Sequence, residues 1–323
     1  MIVQDLVWQQ LLDLKQTIDC RKPWRDISYT KENGFNFVNP EEPKGKFEIL
    51  IHKGASTFSG MKTKSLFKNE IYLSYDPSFC NEAIQVIKNY CPILLGNLVV
   101  ENNTFIIVHM AQTIDGKICT CLGKSKWIGN EENLTHAHRL RAMVDGVLVG
   151  GKTVVKDLPR LNVRHVKGAN PARLLLTNSF NEWDKLPVVE NAKTILIRSK
   201  DVTFSSAHSV IDDVLEYDVT DEDKLHYILK ELKKRGIHTI LVEGGPSTVG
   251  SFLSAGLVDW LQLHIAPIVF GSGKSCISMN EIEEVNEGYQ IKNMFHTSMG
   301  DAFMLTGEPL INEKILSDLE NLF

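Results

Sequence analysis

Cysteine is scarce. Six thiols in 323 residues, at positions 20, 80, 91, 119, 121 and 276, cannot supply a disulfide scaffold, so a reduced, cytoplasmic setting is the simplest expectation. Cys119 and Cys121 stand close together, but no second pair answers them, and the four-ligand spacing of structural zinc is missing. His136 and His138 are two apart and do not share a helix face. There is no His-Glu-x-x-His segment, no Gly-x-Ser-x-Gly elbow, and no His-x-Glu followed by Pro-Cys-x-x-Cys. Zinc peptidase, α/β-hydrolase and zinc deaminase signatures are thereby excluded, and no metal is expected. No apolar run approaches the ~18 residues that a membrane span needs. The opening residues lack the basic start and small-residue cleavage site of a secretory signal, so no membrane role is expected. Charge of one sign is not in excess either: 35 basic and 40 acidic residues leave a net charge of −5. That balance excludes a surface that wraps nucleic acid, yet it allows a local basic pocket for a phosphorylated ligand.

What is present divides into two stretches, expected as domains at 1–99 and 100–323, with the boundary near Gly96 to Asn103. In the first, Ile2, Val3, Leu6, Val7, Leu11, Leu12, Leu14 and Ile18 approximate helical periodicity over residues 2–19. Pro23, Gly34, Pro40 and Pro43 predict an irregular stretch from 20 to 43. Strands are expected at 47–52 and 70–75, and a helix at 81–89. Residues 53–64 are rich in Gly, Ser, Thr and Lys but lack phosphate-loop spacing. The stretch reads as a small α+β domain of unknown role. From Thr104 onward, strands alternate with helices. Strands are expected at 105–111, 145–149, 173–176, 194–197, 240–242 and 261–266, with helices at 135–143 and 221–235. Gly236 suits the end of the second helix. Near-continuous apolar strands imply a sheet covered on both faces. The last strands, near 289–291 and 302–305, alternate more and fit an antiparallel edge. Residues 312–323 read as a short helix or tail.

Four strand ends carry polar chemistry, where open α/β sheets gather ligands. They are His109 to Lys117, Val149-Gly150-Gly151-Lys152-Thr153-Val154 followed by Asp157 to Arg164, Leu176-Thr177-Asn178-Ser179, and Val242-Glu243-Gly244-Gly245-Pro246-Ser247-Thr248. The glycine pairs serve either tight turns or the close approach of backbone to a phosphate. They do not form Gly-x-Gly-x-x-Gly. Arg139, Arg141, Arg160 and Arg164 offer guanidinium forks suited to phosphate or carboxylate oxygens. Arg139 and Arg141 are two apart, so at most one of them faces a site.

Residues 104–306 resemble the reductase domain of the bifunctional riboflavin-biosynthesis proteins. The resemblance rests on Ala111-x-Thr113-x-Asp115-Gly116-Lys117, Ser125-Lys126-Trp127-Ile128, and His138-x-x-Arg141-Ala142-x-x-Asp145-Gly146 running to Gly150. It continues through Thr153-Val154-x-x-Asp157-x-Pro159-Arg160-Leu161-x-x-Arg164, Pro171-x-Arg173, Glu243-Gly244-Gly245-Pro246, and Gly256-Leu257-Val258-Asp259 with Ile265-Ala266-Pro267. It implies a dihydrofolate-reductase-like α/β fold, a mixed sheet with helices on both faces. It also implies reduction of 5-amino-6-(5-phosphoribosylamino)uracil to the ribitylamino product, with NADPH giving hydride to the sugar C1 carbon. A homodimer is implied as well.

Site roles follow from the same resemblance. Ser125 and Trp127 would lie near substrate and nicotinamide, Trp127 being otherwise a packed aromatic. Arg141, Arg160 and Arg164 would surround the sugar phosphate. Asp157 would be an acidic residue near the ribose and Glu243 a carboxylate near the sugar or ring, both catalytic together with His109, which stands where family members usually carry lysine. Gly150, Gly151, Thr153, Gly244, Gly245 and Ser247 would line the cofactor cleft, and Thr177, Asn178 and Ser179 the adenosine ribose. Lys152, Arg198 and Lys200 are basic candidates for the NADPH 2′-phosphate. Asp115 reads as a structural turn carboxylate. The chain also departs at Lys156-Asp157-Leu158-Pro159, where many members have Asp-Asp-Pro. A related reductase of another pyrimidine or pteridine, and a non-catalytic nucleotide-binding protein, are the alternative functions.

Overall fold

The computed structural model describes residues 3–17, 27–30, 34–37, 49–53, 62–68, 70–78, 81–100, 104–126, 128–180, 182–202, 210–218 and 223–310. The chain divides into two compact units, 1–102 and 103–323. No helix among the described residues is long and apolar enough to cross a membrane.

The first unit contains α1 (Val3–Thr17), β1 (Ile27–Thr30), β2 (Gly34–Phe37), β3 (Ile49–Lys53), β4 (Lys62–Phe67), β5 (Ile71–Tyr75) and α2 (Asn81–Leu95). Its five described strands form an antiparallel sheet in the order β2-β1-β3-β5-β4. The irregular reading of 20–43 fails at β1 and β2. The prolines at 23 and 40 bracket this hairpin and do not interrupt it, and Ile27 is fully buried on its pairing with Ile51. Helix α2 also outruns its expected end. Every residue from Asn89 to Leu95 is buried, and this all-round burial carries the helix through Pro92 despite the lost amide donor. Trp8 meets Tyr90 edge to face at 5.2 Å, joining α1 to α2.

The second unit contains β6 (Phe105–Thr113), β7 (Lys117–Cys119), α3 (Glu131–Met143), β8 (Gly146–Gly150), α4 (Gly151–Asp157) and β9 (Ala172–Leu176). There follow β10 (Thr194–Ser199), β11 (Asp213–Tyr217), α5 (Lys224–Lys234), β12 (Thr239–Val242), α6 (Pro246–Ser254) and β13 (Trp260–Ala266). The last strands are β14 (Lys274–Ser275), β15 (Gln290–Met299) and β16 (Ala302–Leu310). Nine of them form one sheet ordered β11-β10-β9-β8-β12-β6-β13-β16-β15. It is parallel from β11 to β13, and β16 and β15 close it as an antiparallel hairpin. This is the mixed sheet that the resemblance implied. The residues expected as a terminal helix or tail lie outside the described residues.

Alternation along β13 shows how both faces are covered. Leu261 joins the core formed with Ile228 and Leu232 of α5 and Phe252 of α6. Its neighbour Gln262 points the other way, and its Oε1 lies 2.9 Å from His136 Nε2 on α3. Helix α3 starts earlier than expected, because Asn130 Oδ1 accepts the Asn133 amide at 2.9 Å and so caps it. Gly236 closes α5 at φ +82°, a conformation that favours glycine.

Candidate functional site

The strand order creates a switch point. From β8 the chain leaves through α4 to β9, whereas from the adjacent β12 it leaves through α6 to β13. The carboxyl ends of β8 and β12 therefore open a crevice of the kind in which α/β sheets bind ligands. A cleft of about 840 Å³ occupies it, and Gly150, Gly151, Thr153, Asp157, Gly245, Ser247 and Ser125 are on its wall. Lys152, Lys156 and Lys274 share the wall with Asp157, which makes the rim cationic. The sequence reading gave Thr248 no role beyond its place in a polar strand end, and it missed the segment around Lys274 to Met279, whose β14 pairs with β7 to build one side. That pairing joins positions more than 150 residues apart, and nothing local announces it.

The glycines have a definite steric purpose. Gly150 and Gly245 have φ of −83° and −71°, so neither makes a left-handed turn. A Cβ on Gly150 would stand 2.2 Å from Thr248 Oγ1, one on Gly244 2.6 Å from Thr248 Cβ, and one on Gly151 2.6 Å from Thr177 Oγ1. These three admit threonines into the seam between strand ends. At Gly245 the nearest atom would be Thr153 Oγ1 at 3.8 Å, which leaves the start of α6 open to the cleft. Thr177, Asn178 and Ser179 are not on the cleft wall. Asn178 takes the Ser199 amide at 2.8 Å and donates to the Tyr217 hydroxyl at 3.1 Å, tying together the ends of β9, β10 and β11. Arg198 is engaged by Glu216 and the Val202 carbonyl. Lys200 is exposed at the end of β10.

A second cluster lies at the end of α3. Arg141 Nε donates to Glu243 Oε1 at 2.8 Å and Nη2 to Oε2 at 2.7 Å, while Nη1 reaches the Asn162 carbonyl at 3.2 Å. Burial pulls the Arg141 pKa down, but the Glu243 carboxylate more than offsets it and raises it overall. Arg164 donates from Nη1 to Asn162 Oδ1 at 3.1 Å, and its backbone amide donates to His138 Nδ1 at 3.2 Å. Burial lowers its pKa, and repulsion from Arg141 and Arg160 lowers it further. Arg141 thus holds Glu243 directly, Arg164 lies within its field, and Arg160 is near enough to repel Arg164. Burial, then Arg141 and Arg164, push His138 down to about 4, so it accepts that amide as a neutral ring. Between α4 and this cluster, Leu158 (φ +40°) caps α4 by donating its amide to Val154 at 3.2 Å, and Leu161 is at φ +54°. The extra leucine in the Asp157 to Pro159 segment is therefore absorbed as a left-handed cap, which costs of the order of 1 kcal/mol.

His109 stands apart from the cleft wall. It is buried, its ring is 5.1 Å from that of His136, and burial with His264 nearby pushes it down to about 3. The position therefore carries no charge at neutral pH. Asp115 accepts from Thr113 Oγ1 at 2.6 Å and from the Phe270 and Gly271 amides at 3.1 and 2.8 Å. Those bonds hold it near 2 and make it a loop anchor. Trp127 lies outside the described residues.

The family model of the RibD C-terminal domain matches residues 104–304. The riboflavin biosynthesis protein RibD of Aquifex aeolicus is 33% identical over 210 residues, 64% of this chain and 58% of that protein. The 2,5-diamino-6-ribosylamino-4(3H)-pyrimidinone 5′-phosphate reductase of Methanothermobacter thermautotrophicus is 31% identical over 188 residues, 57% of this chain and 86% of the relative. Against the RibD of Aquifex and the chloroplastic PYRR of Arabidopsis thaliana, the chain spans 58% and 35% of their lengths, under two thirds of each. A diaminohydroxyphosphoribosylaminopyrimidine deaminase/5-amino-6-(5-phosphoribosylamino)uracil reductase from Thermotoga maritima superposes with a TM-score of 0.54 at 25% identity, covering 70% of this chain and 63% of that one. The fold of Acinetobacter baumannii RibD is also similar, with a TM-score of 0.59 at 20% identity and coverage of 72% and 70%.

Proposed function

This chain belongs to the RibD C-terminal domain family, and on that premise we propose that it is an NADPH-dependent reductase of a phosphorylated ribosylamino-pyrimidine. The product is the ribitylamino compound of riboflavin biosynthesis. The observation that carries the reading is the juxtaposition of two features: a cation-rimmed cleft of about 840 Å³ at the β8/β12 switch point, and the arginine cluster that begins at Glu243, next in sequence to Gly244 and Gly245. Relatives named as pyrimidinone 5′-phosphate reductases agree with it.

The cleft fits a dinucleotide. Its volume lies within the range of ligand pockets, of the order of 300–1,000 Å³. Gly245 keeps the start of α6 open, and there the Ser247 amide has no acceptor within the helix, Pro246 lacking an amide and the Thr248 and Val249 amides donating to the Gly245 carbonyl. Gly150, Gly151, Thr153 and Ser247 would hold NADPH, with Lys152 as reader of its extra phosphate. Bound NADPH supplies the hydride that reduces the ring-opened sugar at C1. The protein's own part is to hold the reactants. Arg160 and Arg164 grip the sugar phosphate. Arg141 is already committed to Glu243, and it orients that carboxylate towards sugar or ring hydroxyls. Asp157 and Ser125 meet the substrate from the cleft wall. Reduction of the C1=N bond would need a proton at nitrogen besides the hydride, and water reaching the open cleft would supply it. His109 acts as a neutral group behind the site.

The test follows NADPH consumption at the nicotinamide absorbance band with the phosphoribosylamino substrate. Turnover is expected, and its absence under conditions where a known relative works would sink the assignment. Neutral His109 and cationic Lys156 favour, as second reading, a reductase of another pyrimidine or pteridine, which turnover of such a heterocycle alone would establish. Tight NADPH binding without any turnover would instead mark a nucleotide-binding protein. We also propose a cytoplasmic homodimer. Met294 on β15 and Phe303 on β16 are 61% and 40% exposed on the terminal hairpin, and an interface would cover such side chains. A sedimentation mass near 36.4 kDa at micromolar concentration would contradict the dimer.

A further inference from the structure

Lys156 occupies a place where two walls of the cleft come together. It sits on α4, and both it and Ser125 of the segment after β7 are on the cleft wall. Lys156 Nζ donates to the Gly123 carbonyl at 2.7 Å, a short charge-assisted bond. The segment 120–125 has its own internal scaffold. The Thr120 amide donates to the Lys124 carbonyl at 2.9 Å, the Gly123 amide to the Thr120 carbonyl at 2.8 Å, and the Lys124 amide to Thr120 Oγ1 at 3.2 Å. It is thus a small preformed hairpin-like loop that Lys156 reaches from across the cleft. Gly123 suits this in two ways. Its φ of +77° closes the turn, and a Cβ there would stand 3.2 Å from the Lys156 ammonium. An aspartate at position 156 would repel the same carbonyl.

We propose that Lys156 is a positioning residue: its ammonium clasps the 120–125 loop to α4 and thereby sets where Ser125 stands on the cleft wall. The clasp itself is a property of the free protein, and its part in turnover rests on the reductase reading above. The clasp ties a segment that otherwise scaffolds itself, so its loss frees the loop as a unit while β8 beneath it stays closed.

Hydrogen–deuterium exchange of the free protein tests the clasp, with Lys156→Met and Lys156→Arg beside the parent. In Lys156→Met, the amides of Thr120, Gly123 and Lys124 should exchange about three- to tenfold faster, as expected for one solvent-exposed charge-assisted bond. Lys156→Arg, which can still donate to a carbonyl, should return them towards the parent rate. Amides of β8 should be unchanged in all three proteins. Equal loop exchange in parent and Lys156→Met would overturn the proposal. So would failure of arginine to rescue, or an equal acceleration in β8. With NADPH and substrate, Lys156→Met should raise the substrate KM by a similar factor and leave kcat within about twofold, and an unchanged KM would remove the role in the reaction. A parent that turns over no substrate defeats the reductase reading, while the exchange rates still decide the clasp.

Discussion

Arg141 on α3 and Glu243 at the end of β12 are 102 residues apart in sequence and form a two-pronged ion pair, with bonds of 2.8 and 2.7 Å. Their side chains are only 14% and 16% exposed. A pair so enclosed is more costly to break than to replace, because one charge is left without a partner in a medium that solvates it poorly. Glu243→Leu and Arg141→Met should therefore each destabilise the protein by about 2–4 kcal/mol, and the two combined by clearly less than either alone. Urea unfolding of the two singles and the double gives the coupling directly. Additive losses would show that the pair carries no mutual stabilisation.

The second prediction concerns the seam between β8 and β12. Alanine at Gly150 brings its Cβ to 2.2 Å from Thr248 Oγ1, but Thr248 Cβ stays at 3.5 Å, an ordinary contact. Alanine at Gly244 meets Thr248 Cβ itself at 2.6 Å. Each single substitution should cost about 1–3 kcal/mol through overpacking. Adding Thr248→Ala should restore most of the loss at Gly150 and little at Gly244. Thermal melting of the four proteins decides it, and equal rescue at both positions would refute the steric account.

These two sites show what sequence could and could not reveal. The glycine pairs at 150–151 and 244–245 were visible because glycine at two strand ends is a local signal. That they pack against Thr248 and Thr177 was not, since the Gly150–Thr248 contact needs β8 beside β12 and the Gly151–Thr177 contact needs β8 beside β9. The core strands were legible from apolar runs such as Phe105 to Val108, because a parallel strand is buried on both faces. The β1–β2 hairpin was hidden by its flanking prolines. Lys274 and the β7–β14 wall were hidden because that pairing is purely long-range. Pairing of Arg141 with Glu243, in place of a free phosphate-binding arginine, also required the three-dimensional contact.

Stability should fall as the medium is acidified. His109, His138 and His264 are lowered to about 3, 4 and 4, and His136 is also well below its usual value, with burial the largest cause in each. Depressed folded-state values mean that the unfolded chain binds protons first. Stability is full above the unfolded value near 6.5 and is lost progressively as the pH drops towards 4 and below. Each histidine contributes roughly 1 kcal/mol of loss between pH 7.5 and 5.5. Urea midpoints at those two pH values should differ strongly, and less so in His109→Gln. A midpoint that does not move with pH would rule out buried neutral histidines.

The sharpest functional prediction concerns Arg164. Its guanidinium is held by Asn162 Oδ1 at 3.1 Å, and its backbone by His138 at 3.2 Å. Unlike Arg141, it makes no salt bridge with Glu243, and it feels net repulsion from Arg141 and Arg160. An arriving phosphate dianion would relieve that repulsion as well as gain charge-assisted bonds. Such bonds contribute roughly 1.5–3 kcal/mol each, so Arg164→Ala should lower kcat/KM on the phosphorylated substrate by about 10- to 150-fold. On the dephosphorylated substrate the same change should matter little. The side chain is exposed, so the variant should melt with the parent, which separates a binding defect from a folding one. Equal losses on both substrates would show that Arg164 does not read the phosphate. Unchanged activity on both would move the phosphate site away from the α3 cluster altogether.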